Sequence, residues 1–283
     1  LVAVVNRHEY QRGLVEAWSG FDTDGHHKRL MHELTSVIIP NLNGFPHIEP
    51  CLNSLREHTN GPVEVIIVDN GSTDGSLEWL RTQRDITLIE MAENVGAPAA
   101  RNRGLEIAHG ETILFSDNDV IFTPNWREIL VGHLEQWPDV GLIGPMSDNV
   151  TGLQQTQVPE DLDEDLPGFA RAFSNEVRPL NHAYTTRLIL FFMMVRREVI
   201  DKIGGFDEGF GMWGFEDDDY SVRARCAGYR LRIAMDCFIR HLGSQTSRTA
   251  RLDYTQLLLE NFEYFKKKWG LPQDLPYGPV DFL

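Results

Sequence analysis

Basic residues are scarce in this 283-residue chain. Lys and Arg number 26 against 42 Asp and Glu, a formal net charge of −16. That balance argues against nucleic acid or an anionic membrane as the main partner, although a local basic patch could still hold a phosphate. Cysteine is scarce too. Cys51, Cys226 and Cys237 are odd in number, far apart and without metal-ligand spacing. A reduced, cytoplasmic protein is expected, with peripheral membrane attachment left open. Long apolar runs are missing: the one at 188–195 is far too short to span a bilayer. No signal peptide is read, and there are no internal repeats. Neither a P-loop nor a GxGxxG turn occurs, so the two commonest nucleotide fingerprints are absent. The chain starts at Leu1 without a methionine. It is therefore compatible with a piece of a longer protein whose other domains are further partners.

What is present suits a packed core: 42% hydrophobic and 10% aromatic residues. Residues 1–33 read as an extension or linker with a polar stretch at 22–29, and His26-His27 as a solvated pair. From Thr35 the pattern alternates. Strands are expected at 36–40, 63–68, 86–89 and 112–115, and helices at 48–55, after Ser72-Thr73-Asp74, and at 99–109. This strand–helix alternation indicates a largely parallel sheet. A helix at 126–136 and a strand at 140–144 follow. Residues 146–180 have weak periodicity and carry the acidic run Glu160-Asp161-Leu162-Asp163-Glu164-Asp165, read as a mobile loop. Next come a strand at 188–195, a helix containing Val199 and Ile203, and a glycine-rich loop from Gly204. A helix is expected at 216–227, with short strands at 231–234 and 237–240. Leu258, Phe262, Phe265 and Trp269 mark a C-terminal amphipathic helix.

Several strand ends carry polar groups. Ile113-Leu114-Phe115-Ser116-Asp117-Asn118-Asp119 delivers two carboxylates to the carboxyl end of a buried strand, where open α/β sheets bind ligands. Two carboxylates there suit a hard divalent cation; Asp-Asn-Asp is also good turn chemistry. Asp69, before Asn70-Gly71-Ser72, can accept from a base N–H or a ribose hydroxyl, and the same residues also make a simple turn. Glu216-Asp217-Asp218-Asp219 opens a helix. Acids favour that position, but four exceed the need, and a carboxylate partly desolvated beside Trp213 is a better base. His241 is either structural or a further metal ligand. Arg101 either faces solvent or meets a diphosphate.

Together these segments resemble family 2 glycosyltransferases of the GT-A fold over about residues 34–250. The motifs that carry the resemblance occur in order. They are Thr35-Ser36-Val37-Ile38-Ile39-Pro40 with Asn41-Leu42-Asn43, then Val68-Asp69-Asn70-Gly71-Ser72-Thr73-Asp74. Asn94-Val95-Gly96 with Ala100-Arg101-Asn102-Arg103-Gly104 follows, then the DxD motif Asp117-Asn118-Asp119. Trp213-Gly214-Phe215-Glu216-Asp217 and His241-Leu242-Gly243-Ser244 complete the set. Phe215 stands where many relatives carry glycine.

The resemblance implies an α/β GT-A fold with a Rossmann-like nucleotide-binding half (34–145) and an acceptor-binding, catalytic half (146–250). A C-terminal helix and tail (251–283) lie outside it. It implies an inverting hexosyltransferase-class enzyme that moves sugar from a nucleotide-diphospho-sugar, a UDP-sugar first of all. The acceptor is a saccharide, lipid-linked or protein hydroxyl. Carried over, Asp217 is the general base, with Glu216 beside it. Pro40, Asn41, Asn43, Asp69, Asn70, Arg101, Asp117 and Asn118 bind the donor. Asp119, Asp117 and His241 hold Mn²⁺ or Mg²⁺. Trp213, Gly214 and Asp218 meet the acceptor. The alternatives are a sugar-phosphate nucleotidyltransferase and a non-catalytic nucleotide-sugar-binding module.

Overall fold

The computed structural model describes residues 3–5, 34–177, 183–243 and 254–278. The 22–29 stretch with His26-His27, and Ser244, lie outside them. Among the described residues a nine-stranded sheet forms the centre, ordered β1-β4-β3-β2-β5-β9-β7-β10-β8. Its strands are β1 (Ala3–Val5), β2 (Thr35–Asn41), β3 (Val63–Asp69), β4 (Thr87–Glu90), β5 (Thr112–Ser116), β7 (Val140–Met146), β8 (Ala183–Thr185), β9 (Phe192–Arg196) and β10 (Arg230–Phe238). The run β4-β3-β2-β5 is parallel, and β7 pairs in parallel with β10. Strand β9 lies antiparallel between β5 and β7, while β1 and β8 are antiparallel edges. Six of the nine strands thus share one direction, as the expected mostly parallel sheet requires. A separate two-stranded ribbon joins β6 (Val120–Ile121) to β11 (Arg240–His241).

Helices cover both faces, and the period-2 alternation of the strands decides which residue meets which helix. In β2, Val37 and Ile39 point into one core with Cys51, Leu52 and Leu55 of α1 (Ile48–His58) and with Trp126, Leu130 and Leu134 of α4 (Trp126–Gln136). Ile38 points into the other. There it meets Ala100 of α3 (Ala97–Leu105), Val199 of α6 (Arg197–Ile203) and Tyr220 of α7 (Glu216–Cys226). Between α1 and α3 lies the short α2 (Ser76–Leu80). Helix α3 approaches the sheet so closely that a Cβ on Gly104 would lie 2.5 Å from Ile38 Cγ2.

Four expectations change. The linker segment contributes β1. The strand expected from residue 188 begins only at Phe192. The two strands expected at 231–240 are one strand, β10, with a register break between Ala234 and Phe238, followed by β11. The expected mobile loop contains two 3-10 turns, Gly152–Gln154 and Leu162–Glu164, and then α5 (Leu166–Val177). Helix α5 forms because Phe169 and Phe173, four residues apart, both pack against Phe238. Pro167 sits in its first turn, where proline is tolerated, and the acids before it masked the pattern. The C-terminal helix is present as α8 (Tyr254–Trp269).

Gly104→Val should lower unfolding free energy by about 2–3 kcal/mol, the scale of an overpacked core. Urea titration reads this directly. A midpoint equal to wild type would mean that α3 can lift from β2 at little cost.

Candidate active site

The polar strand ends meet at one edge of the sheet. After β5 the chain turns, and the Asp117 N–H donates to the Phe191 carbonyl at 2.9 Å. The β6–β11 ribbon pairs His241 with Val120, which sets His241 beside Asp119. His241 Nε2 and Asp119 Oδ1 are 3.3 Å apart. The Leu242 N–H donates to the Asp119 carbonyl at 2.8 Å and closes this turn. His241 Nδ1 lies 2.7 Å from the Asn149 carbonyl. That oxygen can only accept, so Nδ1 carries the proton and Nε2 is left as the ligand atom. One ligand atom each from Asp117, Asp119 and His241 lies within 4.8 Å of the others. Two carboxylates and an imidazole oriented by a carbonyl form a donor set that fits a divalent cation.

Arg101 of α3 links this cluster to the acidic helix. Its Nη2 reaches Asp117 Oδ1 at 2.7 Å, and its Nη1 reaches Glu216 Oε1 at 3.2 Å. Glu216 also accepts from the Gly214 N–H. Burial is the first cause raising Glu216, and the Asp217 carboxylate adds to it. Against the pull of Arg101, Glu216 is pushed up to about 7. Burial likewise raises Asp117, opposed by Arg101 and helped by Asp119, to about 6. Burial alone would lower His241, but the Asp119 carboxylate outweighs it and its pKa is raised.

A cavity of about 270 Å³ opens over these groups. Of the residues singled out in the sequence, twelve line it: Pro40, Asn41, Asn70, Arg101, Asp117, Asn118, Asp119, Trp213, Gly214, Glu216, Asp217 and His241. Three do not. Asp69 is fully enclosed under the loop. One of its oxygens accepts from the Gly71 and Ser72 N–H groups, and the other from Asn41 Nδ2 at 2.8 Å. Asn41 Oδ1 in turn accepts from Asn118 Nδ2 at 2.8 Å. Asp69 therefore braces the cavity floor through Asn41. Gly44 is needed beside this link, because a Cβ there would fall 2.1 Å from Asn41 Oδ1. Asn43 adopts a left-handed conformation, φ 46°, and accepts from the Thr73 N–H. Asp218 is buried in an ion pair with Arg187 at 2.8 Å.

The sequence reading missed other lining residues. Asn94 could have been found, since its segment was already singled out; its Oδ1 accepts from Asn70 Nδ2. Ile189, Leu190 and Phe191 carried no signal, because an apolar run of that kind reads as strand.

A family model described as "Glycosyl transferase family 2" matches residues 36–204, well over half of the chain. The chain belongs to this family. A second model, described as "N-terminal domain of galactosyltransferase", matches residues 181–244. An uncharacterised glycosyltransferase of Bacillus subtilis, YfnE, is 27% identical over 250 residues, covering 73% of this chain and 64% of its own. N-acetylglucosaminyl-diphospho-decaprenol L-rhamnosyltransferase of Mycobacterium tuberculosis is also 27% identical, over 229 residues, covering 70% of this chain and 73% of its own. This chain thus spans less than two thirds of the length of several curated relatives, 64% of the Bacillus protein and 43% of a mycobacterial pre-mycofactocin glycosyltransferase. Among solved structures, the Pyrobaculum calidifontis mannosyltransferase PcManGT, in complex with GDP-Man and Mn²⁺, superposes with TM-score 0.57 at 23% identity. It covers 96% of this chain and 73% of that one. Staphylococcus aureus TarS 1-349 with UDP-GlcNAc gives 0.58 at 18% identity, covering 86% and 68%. These likenesses establish the GT-A fold. No described helix is long and apolar enough to cross a membrane.

The raised Glu216 pKa has a measurable consequence. A carboxyl that holds its proton more tightly folded than unfolded contributes stability that is full below its ordinary value, 4.5. The contribution is lost as pH rises toward about 7. Without divalent ions, unfolding free energy should therefore fall between pH 4.5 and 7, and Glu216→Gln should fall less steeply. Equal slopes in a denaturant series across that window would remove Glu216 as the cause.

Proposed function

We propose that this chain transfers a sugar from a nucleotide-diphospho-sugar, a UDP-sugar in the first instance, to an acceptor hydroxyl with inversion at the anomeric carbon. The observation that carries the proposal is a shared cavity. Asp217 lines the same space as the Asp117, Asp119 and His241 cluster. A base and a diphosphate-anchoring cluster in one cavity can address the two ends of a single displacement.

Asp217 takes the proton of the acceptor O–H. The oxygen forms a bond to the anomeric carbon as the bond from that carbon to the diphosphate oxygen breaks, and the nucleoside diphosphate departs. Asp217 is half-buried at the start of α7, and its Oδ1 accepts from the Asp218 N–H at 2.9 Å. That contact fixes the rotamer and leaves the second oxygen to receive a proton. Arg101 holds Asp117 in place and ties it to Glu216, so the donor and acceptor sides keep a fixed separation. Asp117, Asp119 and His241 are the residues that would hold Mn²⁺ or Mg²⁺. A bound divalent ion supplies positive charge that stabilises a departing diphosphate. Asn41, Asn70 and Asn118 line the nucleotide end, with Asp69 bracing Asn41 from below. Trp213 and Gly214 border the acceptor side.

PcManGT in complex with GDP-Man and Mn²⁺, and TarS in complex with UDP-GlcNAc, support a nucleotide-sugar donor and a metal. The rhamnosyltransferase supports a saccharide carried on a lipid as one acceptor class. Family membership sets aside the nucleotidyltransferase alternative. The non-catalytic module is an outcome of the tests below.

Two variants test the reading. General-base catalysis contributes roughly 10²- to 10⁴-fold. Asp217→Asn should therefore lower kcat at least about 100-fold with the donor that turns over best in a UDP-sugar panel with Mn²⁺. Affinity for UDP should change little. A larger loss in Asp218→Asn would move the base to Asp218, and no donor turnover by wild type would favour the binding module. Asp119→Ala should abolish Mn²⁺-dependent UDP binding in calorimetry while circular dichroism stays unchanged. Full UDP binding in this variant would overturn the metal assignment.

A further inference from the structure

The loop that delivers Trp213 and Gly214 to the cavity is poor at holding itself. Gly211, Gly214 and Phe215 all have positive φ, at 67°, 101° and 68°. Phe215 is not a glycine, so its left-handed backbone is strained and needs support from its surroundings. A single side chain of the C-terminal helix supplies much of that support. Asn261 Nδ2 lies 2.8 Å from the Phe210 carbonyl, 2.8 Å from the Trp213 carbonyl and 3.0 Å from the Gly214 carbonyl. Asn261 is 6% exposed. Around it the Phe215 ring packs on Phe262 and Phe265, with centroids 5.3 Å and 5.7 Å away. Further along α8, Trp269 Nε1 and Lys268 Nζ both reach Asp219 Oδ1 in α7, at 3.1 Å and 2.7 Å. The opposite side of the loop rests on the donor half. The Ala97 N–H donates to the Met212 carbonyl at 2.8 Å. A Cβ on Gly96 would strike the Gly211 carbonyl at 2.1 Å.

We propose that Asn261 is a positioning residue for catalysis: through its amide, the C-terminal helix fixes the loop Gly211–Phe215 and so the direction in which Glu216 and Asp217 enter the cavity. It touches no substrate. It acts by collecting three carbonyls of a strained loop onto one donor group. The proposal rests on the reading of Asp217 as the base, but the loop geometry that it predicts is measurable without any sugar.

The experiment is hydrogen exchange on the unliganded protein, comparing wild type with Asn261→Asp and Asn261→Ala. The aspartate keeps the shape of the side chain and replaces its donor by an acceptor facing three carbonyls. Exchange at the amides of 211–216 should quicken at least about tenfold in Asn261→Asp. The amides of α8 and of β5 should keep their wild-type rates, as should the melting temperature to within a few degrees. In the UDP-sugar assay described for Asp217, Asn261→Asp should lower kcat and leave donor KM within about twofold. Glu260→Gln, one residue away on an exposed part of α8, should behave as wild type in both measurements. Unchanged loop exchange in both Asn261 variants would overturn the proposal. Equal acceleration across α8 and the loop would also overturn it, because Asn261 would then only hold the helix down. Loop exchange that rises as predicted while Asp217→Asn keeps full activity would sink the assignment of the base and leave the anchoring intact.

Discussion

The site depends on one guanidinium shared between two carboxylates. Arg101 is 4% exposed and binds Asp117 on one side and Glu216 on the other. These groups come from α3, the end of β5 and the start of α7; Asp117 is 16 residues from Arg101 along the chain and Glu216 is 115. Removing one partner from such a buried cluster typically costs about 3–5 kcal/mol, because a charge is left uncompensated. The pairing is therefore a strong geometric constraint whatever its net contribution to stability. It is also an incomplete neutralisation. One arginine faces Asp117, Asp119, Glu216 and Asp217 in a single cavity. Burial is the main cause of the upward shifts of Asp117 and Glu216, and the neighbouring carboxylates add to it against the pull of Arg101. A site in this electrostatic state favours an incoming cation.

The second constraint is mechanical. The loop before α7 combines two glycines and one phenylalanine in positive-φ conformations. It has the donor-side helix α3 against one flank and α8 against the other. The buried Phe215 ring accounts for the apolar face of the C-terminal helix at Phe262 and Phe265. The ring is buried in a separate apolar cluster with Phe210, Val222, Phe262 and Phe265. A part of the chain outside the family resemblance thereby supports a part that carries the motif.

The parallel half was legible because its strands are buried on both faces and therefore read as continuous β-branched runs ending in polar residues. Of the twelve singled-out residues that share the cavity, Pro40, Asn41, Asn70, Asp117, Asn118 and Asp119 do so because they lie at the carboxyl ends of the parallel strands β2, β3 and β5. What the sequence leaves unread has specific causes. Sequence shows that Asp69 ends a strand, but not that two N–H groups and Asn41 already occupy its oxygens. Asp218 and Asp217 are adjacent and equally acidic, and the helix turns only one toward the cavity while Arg187 claims the other. Helix α5 was hidden because its stabilising contacts, Phe169 and Phe173 on Phe238, are tertiary and more than sixty residues distant.

The late start of β9 shows how a shorter strand can make a site. Residues 188–191 are apolar enough to continue the sheet, and on composition alone they should. The β5–β9 pairing runs one step further, since the Asp117 N–H donates in register to the Phe191 carbonyl, but the Ile189 N–H is then taken by the Gln154 side chain at 2.7 Å. Beyond Phe191 the chain is thus tied to the acceptor half and not to β5. Freed from the sheet, Ile189, Leu190 and Phe191 become an apolar wall of the cavity. Phe191 lies 5.2 Å from the His241 ring, centroid to centroid. That wall keeps water off one side of the carboxylate cluster and adds to the desolvation that raises Asp117. The apolar run that leaves the sheet therefore also helps to set the electrostatics of the motif beside it.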